Sequence, residues 1–307
     1  MLRSVFALMS LMTLLIATMA VATAQATTAG PRLQDLNLPE VVVTASESGF
    51  AVPAEIAAGA VLLTLDNQAP FPAGFSIIRL PDGMEVEDLL TPPDPAASPA
   101  TSPTLPPALY DTAWAGGAFA MPGARTSSVV SLSAGTWLVV PPPDIPVPPA
   151  VMTVTGETDT TIQPPEGAVA IELDNFQIRL PDQLPAGHQV WHVANAGDQP
   201  HEMIISRTPE RLTAEQAAAL ATLPPDAAPD PSLPNPEAFE QVAFIAPLSQ
   251  GQAVLAELDL EPGHYVAVCF IPERESGHPH ATKGMVTVFS IGVEGEEVAP
   301  PASPEPL

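Results

Sequence analysis

The stretch Gly263-His264-Tyr265-Val266-Ala267-Val268-Cys269 decides how this chain is read. A glycine turn opens a run of aromatic and β-branched residues, which predicts a short strand. That strand delivers Cys269, the only cysteine in 307 residues, to its end. Downstream lies His280-Ala281-Thr282-Lys283-Gly284-Met285, and upstream lies Asn195-Ala196-Gly197-Asp198-Gln199-Pro200-His201. In an oxidising compartment a lone cysteine has no internal disulfide partner, so it is free, paired between molecules or bound to metal. An isolated cysteine is ordinarily a buried, inert thiol. Two histidines and a methionine around this one set that reading aside.

One thiolate, two imidazoles and a thioether form the ligand set of a blue-copper site, where soft sulfur selects copper and a weak axial thioether tunes its potential. The combination resembles the cupredoxins, and the plastocyanins among them. In that family an Asn…Pro-His segment ends one strand, a cysteine ends another, and a His-x4-Met pair closes the site. The resemblance covers about residues 164 to 293. It implies one type 1 copper held by His201, Cys269, His280 and Met285, in an exported protein that passes single electrons to a redox partner. His201 and His280 complete the trigonal plane with Cys269, and Met285 is the long axial contact. The Cys-to-His loop, Phe270 to Pro279, is ten residues long and departs from the family's short ligand loop. His278 competes with His280, but only His280 keeps the x4 interval to Met285. Glu202 stands where plastocyanin-like chains tend to carry Asn. Met203 reads as core, His192 as outward-facing, and His188 and His264 as solvated turn residues. A copper carrier or buffer outside the cytoplasm, and a metal-free surface binding module, are the alternative functions.

Composition narrows the partners. Lys and Arg total 9 against 35 Asp and Glu, a net charge of −26. A phosphate backbone needs a basic footprint, so no nucleic acid is expected. A redox partner with a basic docking face, steered by charge, is the compatible partner. Residues 1–26 read as a secretory signal peptide: Arg3, an apolar run from Val5 to Val21, then small residues at Ala22-Thr23-Ala24 and Ala24-Gln25-Ala26. The mature chain is expected to be secreted or periplasmic, with no membrane insertion after cleavage.

The chain also matches itself at an offset of 128, setting Gly59, Asn67, Pro72, Arg79 and Gly135 against Gly187, Asn195, Pro200, Arg207 and Gly263. Short β-branched runs between Gly and Pro turns predict an all-β fold of two tandem β-sandwiches, and the resemblance implies that these are cupredoxin-like Greek keys. The expected units are residues 38–157, without metal ligands, and 164–293, with the copper site, followed by an acidic, Pro-rich disordered tail over 294–307. Ala73, Pro141, Pro146 and Val151 occupy the first unit's ligand positions, and none holds a metal. Pro-rich stretches 91–107 and 224–236 read as insertions within the units. In the second insertion, Thr213-x-x-Gln216 is a capping-box start for a short helix to about Thr222. Six histidines are too few for the His-x-His pairs of a trinuclear copper cluster, and Phe270 rather than His follows Cys269. No phosphate loop, nucleophile elbow or H-E-x-x-H is present, so the expectation is that the chain is not an enzyme.

Overall fold

The computed structural model describes residues 31–87, 107–142, 148–157, 161–223 and 230–292. The expected signal peptide, the tail from 294, Pro146, residues 91–106 of the first Pro-rich insertion and 224–229 of the second lie outside them. The described strands are β1 (Glu40–Ser46), β2 (Gly49–Ala51), β3 (Glu55–Ala57), β4 (Gly59–Asn67), β5 (Ala73–Arg79), β6 (Ala113–Ala120), β7 (Arg125–Leu132), β8 (Gly135–Val140) and β9 (Ala150–Thr155). They continue as β10 (Val169–Asp174), β11 (Gln177–Arg179), β12 (Gly187–Asn195), β13 (His201–Thr208), β14 (Glu240–Leu248), β15 (Ala253–Leu260), β16 (Gly263–Val268) and β17 (Val286–Ile291).

The fold is all-β, as expected, and is built on two sheets. One eight-stranded sheet runs β11-β10-β12-β15-β7-β4-β1-β2, and one nine-stranded sheet runs β17-β16-β13-β14-β6-β5-β8-β9-β3. Both cross from one half of the chain to the other. The joins are β15 to β7, through Leu255↔Val129 and Ala256↔Ser128, and β14 to β6, through Leu248↔Ala115. Unpaired edge strands are liabilities, and here each half covers the other's. Gly117 on β6 lies close to both of its neighbours: a Cβ there would lie 2.0 Å from the Phe75 carbonyl oxygen on β5 and 3.0 Å from Ala246 Cβ on β14, across the join.

Between the sheets lies one continuous core that includes Trp137, Trp191, Tyr265 and Phe289. Tyr265 stacks on Phe289 at 5.4 Å, and its hydroxyl donates to the Glu261 carbonyl at 2.6 Å. Such pairs add about 1 kcal/mol to the area they bury. The helix predicted after Thr213 is present at Ala214–Ala221 with both arms of its capping box, Gln216 N–H to Thr213 Oγ1 at 3.1 Å and Thr213 N–H to Gln216 Oε1 at 2.9 Å. Leu212 and Ala217 bury against Val266, Val268, Ala281, Val286 and Val288. The helix is thus a cover over the outer face of β16 and β17.

Candidate metal centre

Strand periodicity aims the sequence-selected residues inward, since alternate residues face opposite sides of a sheet. On β16, Val266 and Val268 face the helical cover, so Tyr265, Ala267 and then Cys269 face the core. On β13 the inward set is His201, Met203 and Ile205, and Met285 enters β17 in phase with Phe289 and Ile291. His201 is positioned by Asn195. Its side-chain amide donates to the Gln199 carbonyl at 2.7 Å and the Leu248 carbonyl at 2.6 Å, while its Oδ1 accepts the Gly197 N–H at 2.9 Å. The five residues before His201 are thereby tied to the end of two strands.

The His-x4-Met interval has a simple conformation. A 3₁₀ turn, His280–Lys283, ends at Gly284 with φ of 97°, a left-handed position that glycine adopts without strain. The chain then reverses into β17. Backbone bonds tie the three downstream candidates together: Cys269 N–H to Met285 O at 3.1 Å, Met285 N–H to His280 O at 3.1 Å, and Ala281 N–H to Cys269 O at 2.9 Å.

The side chains converge. His201 Nδ1 lies 3.0 Å from His280 Nδ1, and His280 Nδ1 lies 3.6 Å from Cys269 Sγ. Ligand atoms of these three residues all fall within 4.8 Å of one another. Cys269, His201, His280 and Met285 are each fully buried. Metal–nitrogen bonds of about 2.0 Å and a metal–sulfur bond of about 2.3 Å, spread in a plane, place nitrogens roughly 3.5 Å apart and nitrogen and sulfur roughly 3.7 Å apart. The donor triangle is therefore close to the size an ion requires, and its soft, mixed N and S chemistry suits copper. His278 is not part of it: the residue is exposed, and its carbonyl accepts the Glu273 N–H at 2.8 Å within the loop.

Electrostatics favour neutral ligands. Burial, then the neighbouring His280, lowers His201 to about 3, and burial lowers His280 to about 4. Both imidazoles therefore keep a free lone pair at neutral pH. Burial, then the Glu202 charge, raises the Cys269 thiol. Glu202 is itself raised to about 7 by burial, and its Oε1 accepts the Phe270 N–H at 3.2 Å. Among the described residues one buried side-chain polar atom, His201 Nε2, has no hydrogen-bond partner. It faces Gly197, where a Cβ would lie 2.7 Å from that nitrogen and 2.6 Å from Asn175 Oδ1. Gly197→Ala is thus expected to displace the His201 ring and to cost about 1–3 kcal/mol by overpacking. Thermal unfolding of the metal-free protein reads that loss.

Sequence reasoning missed the residues that cover the site. Phe176, in the two-residue turn between β10 and β11, packs edge-on to His280 at 5.2 Å. It holds a φ of 61°, which bulky residues rarely adopt. Gln199 Oε1 lies 3.2 Å from His280 Nε2. A bulky residue at a turn position that favours Gly or Asn was the available signal. Met203 is core, as expected, and His192 is half-buried on its strand. His188 and His264 are not solvated turn residues: His188 Nε2 sits 3.0 Å from the Pro31 carbonyl, and His264 Nδ1 sits 3.0 Å from Ser290 Oγ. Each lies in a sheet, where neighbouring groups half-bury it.

No protein-family model and no curated protein matches the sequence. Solved structures do. An auracyanin from the photosynthetic bacterium Roseiflexus castenholzii aligns at 21% identity over 42% of this chain and 98% of its own, with a TM-score of 0.28. A multicopper oxidase from Pediococcus acidilactici aligns at 12% identity over 85% of this chain and 62% of its own, TM-score 0.23. A copper-containing nitrite reductase from Thermus scotoductus aligns at 9% identity over 87% of this chain and 66% of its own, TM-score 0.23. The expectation that the chain is not an enzyme is corrected here. Structures spanning most of it are enzymes, so missing motifs and a two-sandwich fold do not mark a non-enzyme. Among the described residues no helix is long and apolar enough to cross a membrane. The fold described here is all-β, and within it His201, Cys269 and His280 converge on a possible copper site.

Proposed function

We propose that this chain is an exported, type 1 copper-binding protein that carries single electrons, with His201, Cys269, His280 and Met285 holding one copper ion. The observation that carries this reading is the buried convergence of two imidazole Nδ1 atoms and one thiol at the end of the core. Copper, when bound, supplies a one-electron couple. The protein's part is to present neutral imidazoles, give up the Cys269 proton, and hold all four side chains between sheets that leave little room to rearrange. A small rearrangement between oxidation states is what rapid electron transfer requires. The acidic surface fits a basic partner protein. Export rests on the character of residues 1–26.

The chain's two halves, about 38–157 and 164–293, are on this reading copies of one unit, the first without ligands. Matching hydrogen bonds at the offset of 128 support it. Asn67 Nδ2 donates to the Phe71 and Ala120 carbonyls, as Asn195 Nδ2 does to those of Gln199 and Leu248. Ala73 pairs with Ala120 as His201 pairs with Leu248. Ala73 thus stands at the strand start where the second half has a ligand, whereas Val151 does not match Met285 as expected: Val151 pairs with Leu138, the counterpart of Val266, whose own partner is Val288.

Voltammetry of the copper-loaded protein tests the carrier role. Reversible one-electron cycling without copper loss is expected, and release of copper on reduction would instead indicate a copper carrier or buffer. Proton release gives a second check. At pH 8, above the Glu202 value of about 7 and above both imidazoles, the thiol is the only site group still protonated. Copper binding is expected to release about one proton and to strengthen about tenfold per pH unit near pH 8. Titration in weak buffer measures the count, and release of none would exclude a thiolate ligand.

A further inference from the structure

The ligand loop between Cys269 and His280 is long, and loop entropy alone would leave His280 poorly fixed. Inside the loop the chain forms a narrow neck. Pro272 bridges Pro279, His280 N–H donates to the Ile271 carbonyl at 2.9 Å, and Glu273 and Gly277 close the tip through Glu273 N–H to His278 O and Gly277 N–H to Glu273 O, both at 2.8 Å. The neck is then gripped from the other half of the chain. Tyr110 Oη donates to the Pro272 carbonyl at 2.8 Å. The Arg274 guanidinium makes a bidentate pair with Asp111, at 2.7 and 3.0 Å, and lies 5.7 Å from the Tyr110 ring centroid. The gripping segment is itself anchored: Trp114 Nε1 and Thr112 Oγ1 both donate to the Leu109 carbonyl at 2.7 Å. A single exposed ion pair contributes little, but a bidentate pair, a hydroxyl bond and a ring contact on one neck act together.

We propose that Tyr110, Asp111 and Arg274 are positioning residues for the metal centre, by which the first half of the chain holds the long ligand loop and so His280 in its binding place. This rests on the copper reading above, and it gives the half without ligands a defined task. Pro272, which Tyr110 holds, is bridged to Pro279, and Pro279 is covalently joined to His280. The grip is therefore one backbone pair away from a donor atom.

The test uses the full-length chain with Tyr110→Phe, Arg274→Gln, the two combined, and the charge exchange Asp111→Arg with Arg274→Asp. Two readouts are taken: amide hydrogen exchange at Glu273, Gly277 and His280 in metal-free protein, and the rate of copper loss to a chelator from loaded protein. Each single change is expected to speed both about fivefold, and the combined change by more than about tenfold. The charge exchange is expected to restore most of the Arg274 effect, and overall melting should stay close to the parent. Rates within twofold of the parent in the combined variant would overturn the proposal. If the parent takes up no copper, the copper reading fails, and the exchange rates still decide whether the grip holds the loop.

Discussion

Cys269→Ser is expected to extinguish the intense visible charge-transfer band of the copper-loaded protein, because an alcohol oxygen does not supply a sulfur-to-copper transition. Affinity falls as well. Spreading roughly 10–16 kcal/mol of metal-binding energy over four ligands assigns each about 3 kcal/mol, or about two decades in the dissociation constant. Serine is smaller than cysteine and nearly isosteric, and the position is fully buried in the core, so the fold should survive the change. A spectrum of the loaded serine variant beside that of the parent provides the measurement. An unchanged band would place the chromophore elsewhere.

The second large effect separates two histidines that lie two residues apart. His280→Ala removes a buried ring that faces His201 Nδ1 at 3.0 Å and Cys269 Sγ at 3.6 Å, and no donor remains on that side of the triangle. Loss of the visible band and of one-to-one copper binding is expected. His278→Ala removes an exposed side chain from the loop tip, and exposed substitutions usually change stability by less than about 0.5 kcal/mol. Colour and stoichiometry should persist. Copper titration of both variants decides, and the reverse outcome would mean that the loop adopts another register when metal binds.

Local regularities make much of the fold and the site legible in the sequence. Tyr265 to Val268 is a strand because its residue types favour one, and the period of two then fixes which way Cys269 points. The His280 to Met285 interval works because Gly284 permits the left-handed turn that ends it. The contacts that complete the site depend on distant parts of the chain and leave no local pattern. Phe176 against His280 and Tyr110 against Pro272 are set by the meeting of sheets and halves. The same holds for the two continuous sheets: β6 and β7 read as ordinary strands, and only the fold shows that β14 and β15 cover their edges. His188 and His264 failed for a related reason, since a glycine before a residue does not place it in solvent. The expectation against catalysis failed because it rested on missing motifs.

Copper titration of the purified chain lacking residues 1–26, followed by visible absorption, tests the central claim most directly. One equivalent of Cu(II) is predicted to develop an intense blue or green band and then saturate. A colourless adduct, or saturation at no equivalent or at more than one, would contradict a single buried site built from His201, Cys269, His280 and Met285.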